Sequence, residues 1–320
     1  MVASSVLEAI PQKVRSSLGA IDFRLKEDGL NPRICGLLDD TVLAGGKRFR
    51  PLLTLMMADF FGLPVESGAA LAVDIERVHA ATLAHDDVVD QAEVRRGRPS
   101  INAIASGKHA ILAGDYLLAK VMREVSLRGD VRVLQALSEV ISDLVEGEWL
   151  QIENTKTDSL SRKDVELVAH MKTGSVLSWC CHAPAIVAGA TDETIEAAKV
   201  FGRNLGLIFQ LGDDILDFTR TDGAVGADIK NGVINSVIFE IWVARLGGEG
   251  LDISNKALGS VGASELAFAV GKVRERMAEI VDECLDSWAR IMATAGGKSL
   301  SGKSVHTAVE TMISYLAERV

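Results

Sequence analysis

The stretch ERVHAATLAHDDVVD (76–90) decides how this chain is read. Alanine, valine and leucine fill most of it, yet Glu76, His79, Asp86 and Asp90 recur on a rhythm of three and four residues, with Leu83 completing the row. On an α-helix that rhythm lies on one face, each member about a turn above the last. The helix therefore carries a polar stripe through an apolar body. A carboxylate in such surroundings is costly unless it meets a cation, so the stripe points to cation binding rather than to a solvated face. A second stretch, FQLGDDILD (209–217), repeats the spacing. Asp213, Asp214 and Asp217 stand there as Asp86, Asp87 and Asp90 do in the first, and Gln210 extends the stripe amid Leu207, Ile208, Leu211, Ile215 and Leu216. Two such faces pointed at each other make a negative, oxygen-only pocket. Those donors suit a hard divalent cation, and Mg²⁺ held by a few carboxylates completes its shell with water and substrate phosphates. The expectation is a diphosphate held through magnesium.

The 320 residues contain 48% apolar and 5% aromatic side chains and six prolines, so long apolar stretches run without breakers and strand-like alternation is hard to find. The fold class expected is all-α: one domain over residues 1–320, with about ten or more helices around a central cavity faced by both acidic boxes. Residues 1–30 read as an amphipathic helix with Val14, Leu18, Ile21 and Leu25 on one face, broken at Asn31-Pro32. A helix to Gly45-Gly46 follows, then one from near Pro51 to Phe61, and a long one over 66–90. Further helices are expected at 108–128, 130–154, 162–189, 192–219, 233–246, 262–296 and 304–319, with loops at 91–100, 220–232 and 247–260.

A net charge of -10 argues against a nucleic-acid surface. Cys35, Cys180, Cys181 and Cys284 have no metal-ligand spacing and read as reduced, buried thiols of a cytoplasmic protein. Glu8 interrupts the start of the chain, so no signal peptide is read there. The uncharged run Thr173–Thr191 is about long enough to cross a bilayer. His182, Pro184 and the interspersed hydroxyls make it a core helix instead, and no stable membrane insertion is expected.

Cations gather beside the carboxylates. Lys47, Arg48 and Arg50 lie in GGKRFRP (45–51), Arg95 and Arg96 follow the first box, and Lys172 precedes the uncharged run. Guanidinium groups fork onto phosphate oxygens, and lysine acts as a point charge. Taken with VHAATLAHDDVVD (78–90), RRG (95–97), Lys172-Thr173 and FQLGDDILD, these motifs resemble those of the trans-type polyprenyl diphosphate synthases, in order and spacing over roughly residues 40–232. The resemblance implies that Asp86, Asp90 and Asp213 bind Mg²⁺, supported by Asp87, Asp214 and Asp217. It implies that Arg95, Lys172 and Gln210 hold an allylic prenyl diphosphate, with Thr173 near the reacting group. Lys47, Arg50, His79 and Arg96 would hold isopentenyl diphosphate. It further implies a homodimer, and a chain-length floor at Val78, Ala81 and Thr82. None of those three is aromatic, so a medium-to-long product is expected.

One loop departs from the family pattern. Gly223 is followed by Ala224 and Gly232 by Val233, where the family carries lysines, and Lys230 is the candidate replacement. Two other readings stay open for that reason. One is a same-fold enzyme with another acceptor, or a cyclase. The other is a weakly active partner subunit of a hetero-oligomeric synthase. Intact Lys47, Arg50, His79 and Arg96 argue against the first, and two complete acidic boxes against the second.

Overall fold

A computed structural model describes residues 8–25, 32–95, 97–156, 159–219, 233–246, 251–252, 261–295 and 302–320. The fold is all-α. Its helices are α1 (Gln12–Ala20), α2 (Pro32–Asp40), α3 (Phe49–Phe60), α4 (Val65–Val89), α5 (Ile101–Ile104), α6 (Gly107–Arg128), α7 (Val131–Asn154), α8 (Arg162–Ala169), α9 (Ser175–Val187), α10 (Asp192–Thr219), α11 (Ser236–Leu246), α12 (Ala263–Thr294) and α13 (Gly302–Glu318). A π-turn, His170–Gly174, joins α8 to α9. Two ribbons interrupt the helices: β1 (Val94–Arg95) pairs antiparallel with β2 (Arg98–Pro99), and β3 (Ser159–Leu160) with β4 (Leu251–Asp252). The chain divides into two compact units, one of Met1–Ser138, Ala183–Ala190 and Gly297–Val305, the other of Glu139–His182, Thr191–Gly296 and His306–Val320.

In the first unit α4 is the central helix. Its small residues Ala80, Ala81 and Ala84 are buried and pack in one cluster with Leu38, Leu43, Ile101, Ala113 and Leu117. Gly114 of α6 lets the His85 ring lie against that helix, since a Cβ would stand 2.3 Å from His85 Nε2. Ion pairs stitch the same two helices: Arg128 holds the buried Asp74, and Arg77 Nη1 meets Glu124 Oε2 at 2.8 Å.

In the second unit α10 and α12 form the spine, with Phe201, Leu205 and Ile208 on one and Met277, Cys284 and Trp288 on the other all buried. Phe201 and Trp288 rings lie 5.4 Å apart, and the Trp288 indole donates to His306 Nδ1 at 2.8 Å. Where α10 crosses the π-turn and the start of α9 there is no room for side chains. A Cβ on Gly202 would lie 2.4 Å from the Leu177 carbonyl oxygen, and one on Gly206 2.5 Å from Gly174 Cα. The uncharged run forms this packed interior: Val176, Leu177, Trp179, Cys180 and Cys181 are buried, and among the described residues no helix is long and apolar enough to cross a membrane. All four cysteines are buried and stand outside any disulfide.

Several boundaries differ from the sequence expectation. The first helix does not run through residues 1–30 as described; it ends at Ala20, and Ile21 is extended. The chain abandons the helix there because Phe23 and Leu25 become buried and the Leu25 amide is captured by Asp39 Oδ1 at 2.9 Å. The loop expected at 91–100 contains a ribbon, turned at Gly97 with φ 75°. The helix expected over 162–189 is broken in phase by the π-turn and ends at Val187.

Gly202→Ala should cost about 1–3 kcal/mol or more, since the added methyl meets backbone that cannot swing aside. Gly271→Ala, with nothing within 4 Å in the middle of α12, should gain about 0.5–1 kcal/mol. Denaturant midpoints check both signs. His182 gives a pH test. Burial pushes its pKa down to about 4, and its Nδ1 bonds the Ser178 carbonyl at 2.7 Å. An imidazole held neutral when folded stabilises at neutral pH; that contribution falls away as pH drops from about 6.5 toward 4, by roughly 3 kcal/mol. His182→Leu should flatten this part of the stability–pH curve.

Candidate active site

The polar stripe of α4 changes accessibility along its length. Glu76 is buried, His79, Thr82 and Asp86 are half-buried, and Asp90 is exposed at the helix C-cap. Exposure along this stripe therefore rises toward the C-terminal end of the helix. Asp86 and Asp90, a turn apart, point along it. Asp87 does not: its carboxylate has 0% exposure and takes Arg95 at 2.7 Å. The β1–β2 ribbon places Arg95 there by folding the chain back after the first box. Arg95 is thus held against a buried aspartate with 31% of its side chain exposed. Val78 and Ala81, expected to set the chain-length floor, are fully buried, whereas Thr82 sits on the accessible stripe and donates to the His79 carbonyl at 2.9 Å. Of the cationic loop, Lys47 is exposed and Arg50 half-buried in the first turn of α3. Arg96 and Lys230 lie outside the described residues, as does the loop 220–232.

The second box, in the other unit, has the same design. Asp213 and Asp217 are partly exposed, a turn apart on α10, and Asp214 is buried. The Asp214 carboxylate accepts from Gln210 Nε2 at 2.9 Å and from the Ser236 amide at 2.9 Å. Gln210 in turn accepts at Oε1 from the Thr173 hydroxyl at 2.9 Å, so Thr173, Gln210, Asp214 and Ser236 form one chain of hydrogen bonds. Thr173 and Lys172 sit in the π-turn, in which the Ser175 amide reaches back five residues to the His170 carbonyl. Such single-turn bulges cluster at functional sites because they displace side chains from regular helical phase. Lys172 Nζ meets Glu148 at 2.5 Å and Gln151 Oε1 at 3.0 Å, both from α7.

Four partner residues escaped the sequence reading. Glu148 and Gln151 share one face of α7 at i and i+3, a spacing visible in GEWLQ (147–151) but without a reason to look there. Arg319 pairs with Asp213 at 2.8 Å and also donates to the Phe209 carbonyl at 2.7 Å, although it lies at the far end of the chain. The cation answering Glu76 is Arg48. The expectation that a buried carboxylate needs a cation holds at that position, but the cation is the protein's own.

Among the described residues no three carboxylate, imidazole or thiol groups are already gathered as a metal shell. The donors that remain accessible, Asp86 with Asp90 and Asp213 with Asp217, are oxygen-only pairs spaced by one helical turn. They fit Mg²⁺, which takes one or two carboxylates and fills its octahedron with water and phosphate.

Solved structures carry this all-α fold. A decaprenyl diphosphate synthase from Rhodobacter capsulatus matches with a TM-score of 0.77 at 26% identity, over 99% of this chain and 97% of that one. The chain belongs to the polyprenyl synthetase family, whose model matches residues 31–245. It is 32% identical to heptaprenyl diphosphate synthase component 2 of Geobacillus stearothermophilus, over 76% of this chain and 78% of that protein. It is 34% identical to octaprenyl diphosphate synthase of Escherichia coli, over 60% of each. Against several of the curated relatives the match spans only 41–60% of the relative's own length.

The buried aspartates should behave differently from ordinary surface acids. Asp87→Ala and Asp214→Ala should each cost about 2–4 kcal/mol of folding stability, because Arg95 or the Ser236 amide and Gln210 lose their acceptor. Chemical denaturation of the two variants checks this.

Proposed function

We propose that this chain is a polyprenyl diphosphate synthase, a Mg²⁺-dependent prenyltransferase that condenses an allylic prenyl diphosphate with isopentenyl diphosphate. One observation carries the reading. In both acidic boxes the i and i+4 carboxylates keep some exposure while the i+1 carboxylate is buried against a protein donor, Asp87 against Arg95 and Asp214 against Gln210 and the Ser236 amide. Repetition of that division on two unrelated helices argues for a common task for the four outward carboxylates, Asp86, Asp90, Asp213 and Asp217. Asp87 and Asp214 support them from within.

Magnesium, when bound, neutralises the leaving diphosphate and so eases cleavage of the allylic C–O bond. Arg95, held in place by Asp87, and Lys172, held by Glu148 with Gln151, are fixed positive charges suited to an allylic diphosphate. Gln210 and Thr173, locked in one hydrogen-bond chain, orient groups near the breaking bond. Lys47, Arg50, His79 and Arg96 hold isopentenyl diphosphate directly by charge and hydrogen bonds. Apolar walls keep water from the allylic cation until the isopentenyl double bond attacks it; the released diphosphate then accepts the proton. Lys230 stands in for the loop lysines that the family carries.

With no aromatic side chain at Val78, Ala81 or Thr82, the product is medium to long, about six to ten isoprene units, because the floor of such a pocket sets which chain still fits. The assembly is a homodimer; an exposed apolar row on α7, Val145 at 65%, Trp149 at 68% and Ile152 at 39%, supports it. Four buried cysteines outside any disulfide fit a reducing compartment, the cytoplasm in this reading.

The test is a product assay with Mg²⁺, isopentenyl diphosphate and allylic primers of increasing length, sized by mass spectrometry. A ladder ending within the stated range is expected; no incorporation with any primer overturns the reading. Asp86→Ala and Asp213→Ala should each lower kcat by about 10²–10³-fold. Ala81→Phe should shift the ladder to shorter products, and an unchanged distribution would remove the floor assignment.

A further inference from the structure

We propose that Arg48 and Glu76 form a positioning pair that presents Lys47 and Arg50, with His79, to the diphosphate of isopentenyl diphosphate; the inference rests on the function proposed above. By sequence, GGKRFRP offers three cations, of which the resemblance assigns Lys47 and Arg50 to the diphosphate and leaves Arg48 without a role. The structure separates them. Lys47 is exposed and Arg50 half-buried, whereas Arg48 turns into the protein with 16% of its side chain exposed. Its guanidinium engages three partners at once. One terminal nitrogen donates to Glu76 Oε1 and the other to the Leu43 carbonyl, and the group lies 4.4 Å above the centre of the Phe23 ring. Glu76, at 4% exposure, is a buried acid.

The backbone of Arg48 is equally constrained. It stands in the left-handed region, φ 50° and ψ 35°, a conformation that residues with a Cβ hold only when their surroundings enforce it. It is also the residue that caps α3, since its carbonyl accepts from the Leu52 amide at 3.0 Å. Lys47 leaves the loop just before this locked residue, and Arg50 leaves the first helical turn just after it. Fixing Arg48 therefore fixes the directions of both. Glu76 lies three residues before His79 on α4, so the pair fastens the cationic loop to the helical turn bearing the third ligand. The planar fork of arginine is what allows two acceptors and a ring to be engaged together; a lysine offers one compact charge.

Calorimetric titration of isopentenyl diphosphate into the full chain, without metal or primer, tests this, because the three ligands need no metal to bind it. Wild type should bind. Arg48→Lys and Glu76→Gln should each weaken binding about tenfold or more. In steady-state assays with Mg²⁺, the KM for isopentenyl diphosphate should rise with it, while the KM for the allylic substrate changes less than about twofold. Thermal melts identify any unfolded variant, and the milder Glu76→Gln guards against that outcome for Arg48→Lys. Variants that bind as tightly as wild type overturn the inference alone, as do variants in which both KM values rise in parallel with a fall in melting temperature. A wild-type chain that binds no isopentenyl diphosphate overturns the proposed function, and the inference with it.

Discussion

A carboxylate sunk in an apolar helix must be answered, because desolvating an unpaired charge costs more than packing returns. This constraint organises much of both units. Asp74 is answered by Arg128, Glu76 by Arg48, Asp87 by Arg95, and Asp214 by Gln210 and the Ser236 amide. Each answer also ties separate pieces of chain together: α4 to α6, the cationic loop to α4, the first ribbon to the first box, and the start of α11 to α10. The inward carboxylates meet donors of the protein itself, and the outward ones keep some exposure, Asp213 with Arg319 beside it.

Close approach of backbones is the second determinant. Gly114, Gly202 and Gly206 stand where a methyl group would meet a histidine ring or main-chain atoms. At the crossing of α10 over the π-turn, the absence of side chains brings Thr173 within hydrogen-bond reach of Gln210, and so connects a packing feature to the candidate chemistry.

What the sequence made legible was local. The helix expected at 192–219 occurs over those residues, and both aspartate stripes fall on helices, because a 3.6-residue period is written in neighbouring positions. What it hid was tertiary. Arg48 read only as one of three cations in GGKRFRP, with no role of its own, since nothing within the motif shows which residue turns inward. Arg319 and Asp213 are too far apart in sequence for any spacing rule to pair them. The ribbons, two residues per strand, are too short to show alternation. Ile21 fits a helical stripe perfectly well on its own; only the burial of Phe23 and Leu25 beyond it explains why the helix stops.

The π-turn at His170–Gly174 places one residue more in its turn than a regular helix would hold. Each residue of a regular helix advances it by about 100°, whereas the wider turn spends one more residue on the same rotation, so the sequence phase shifts by one residue across it. The apolar face of α9 around Val176 and Cys180 is therefore out of register with the face of α8 that buries Val165 and Ala169. Length at this point is a phase setting. Recasting the turn as regular α-helix at the same length would rotate α9 by about 100° around its axis and turn its first turns away from the partners they now pack against. The segment is thus intolerant of a change that local helix propensity alone would favour.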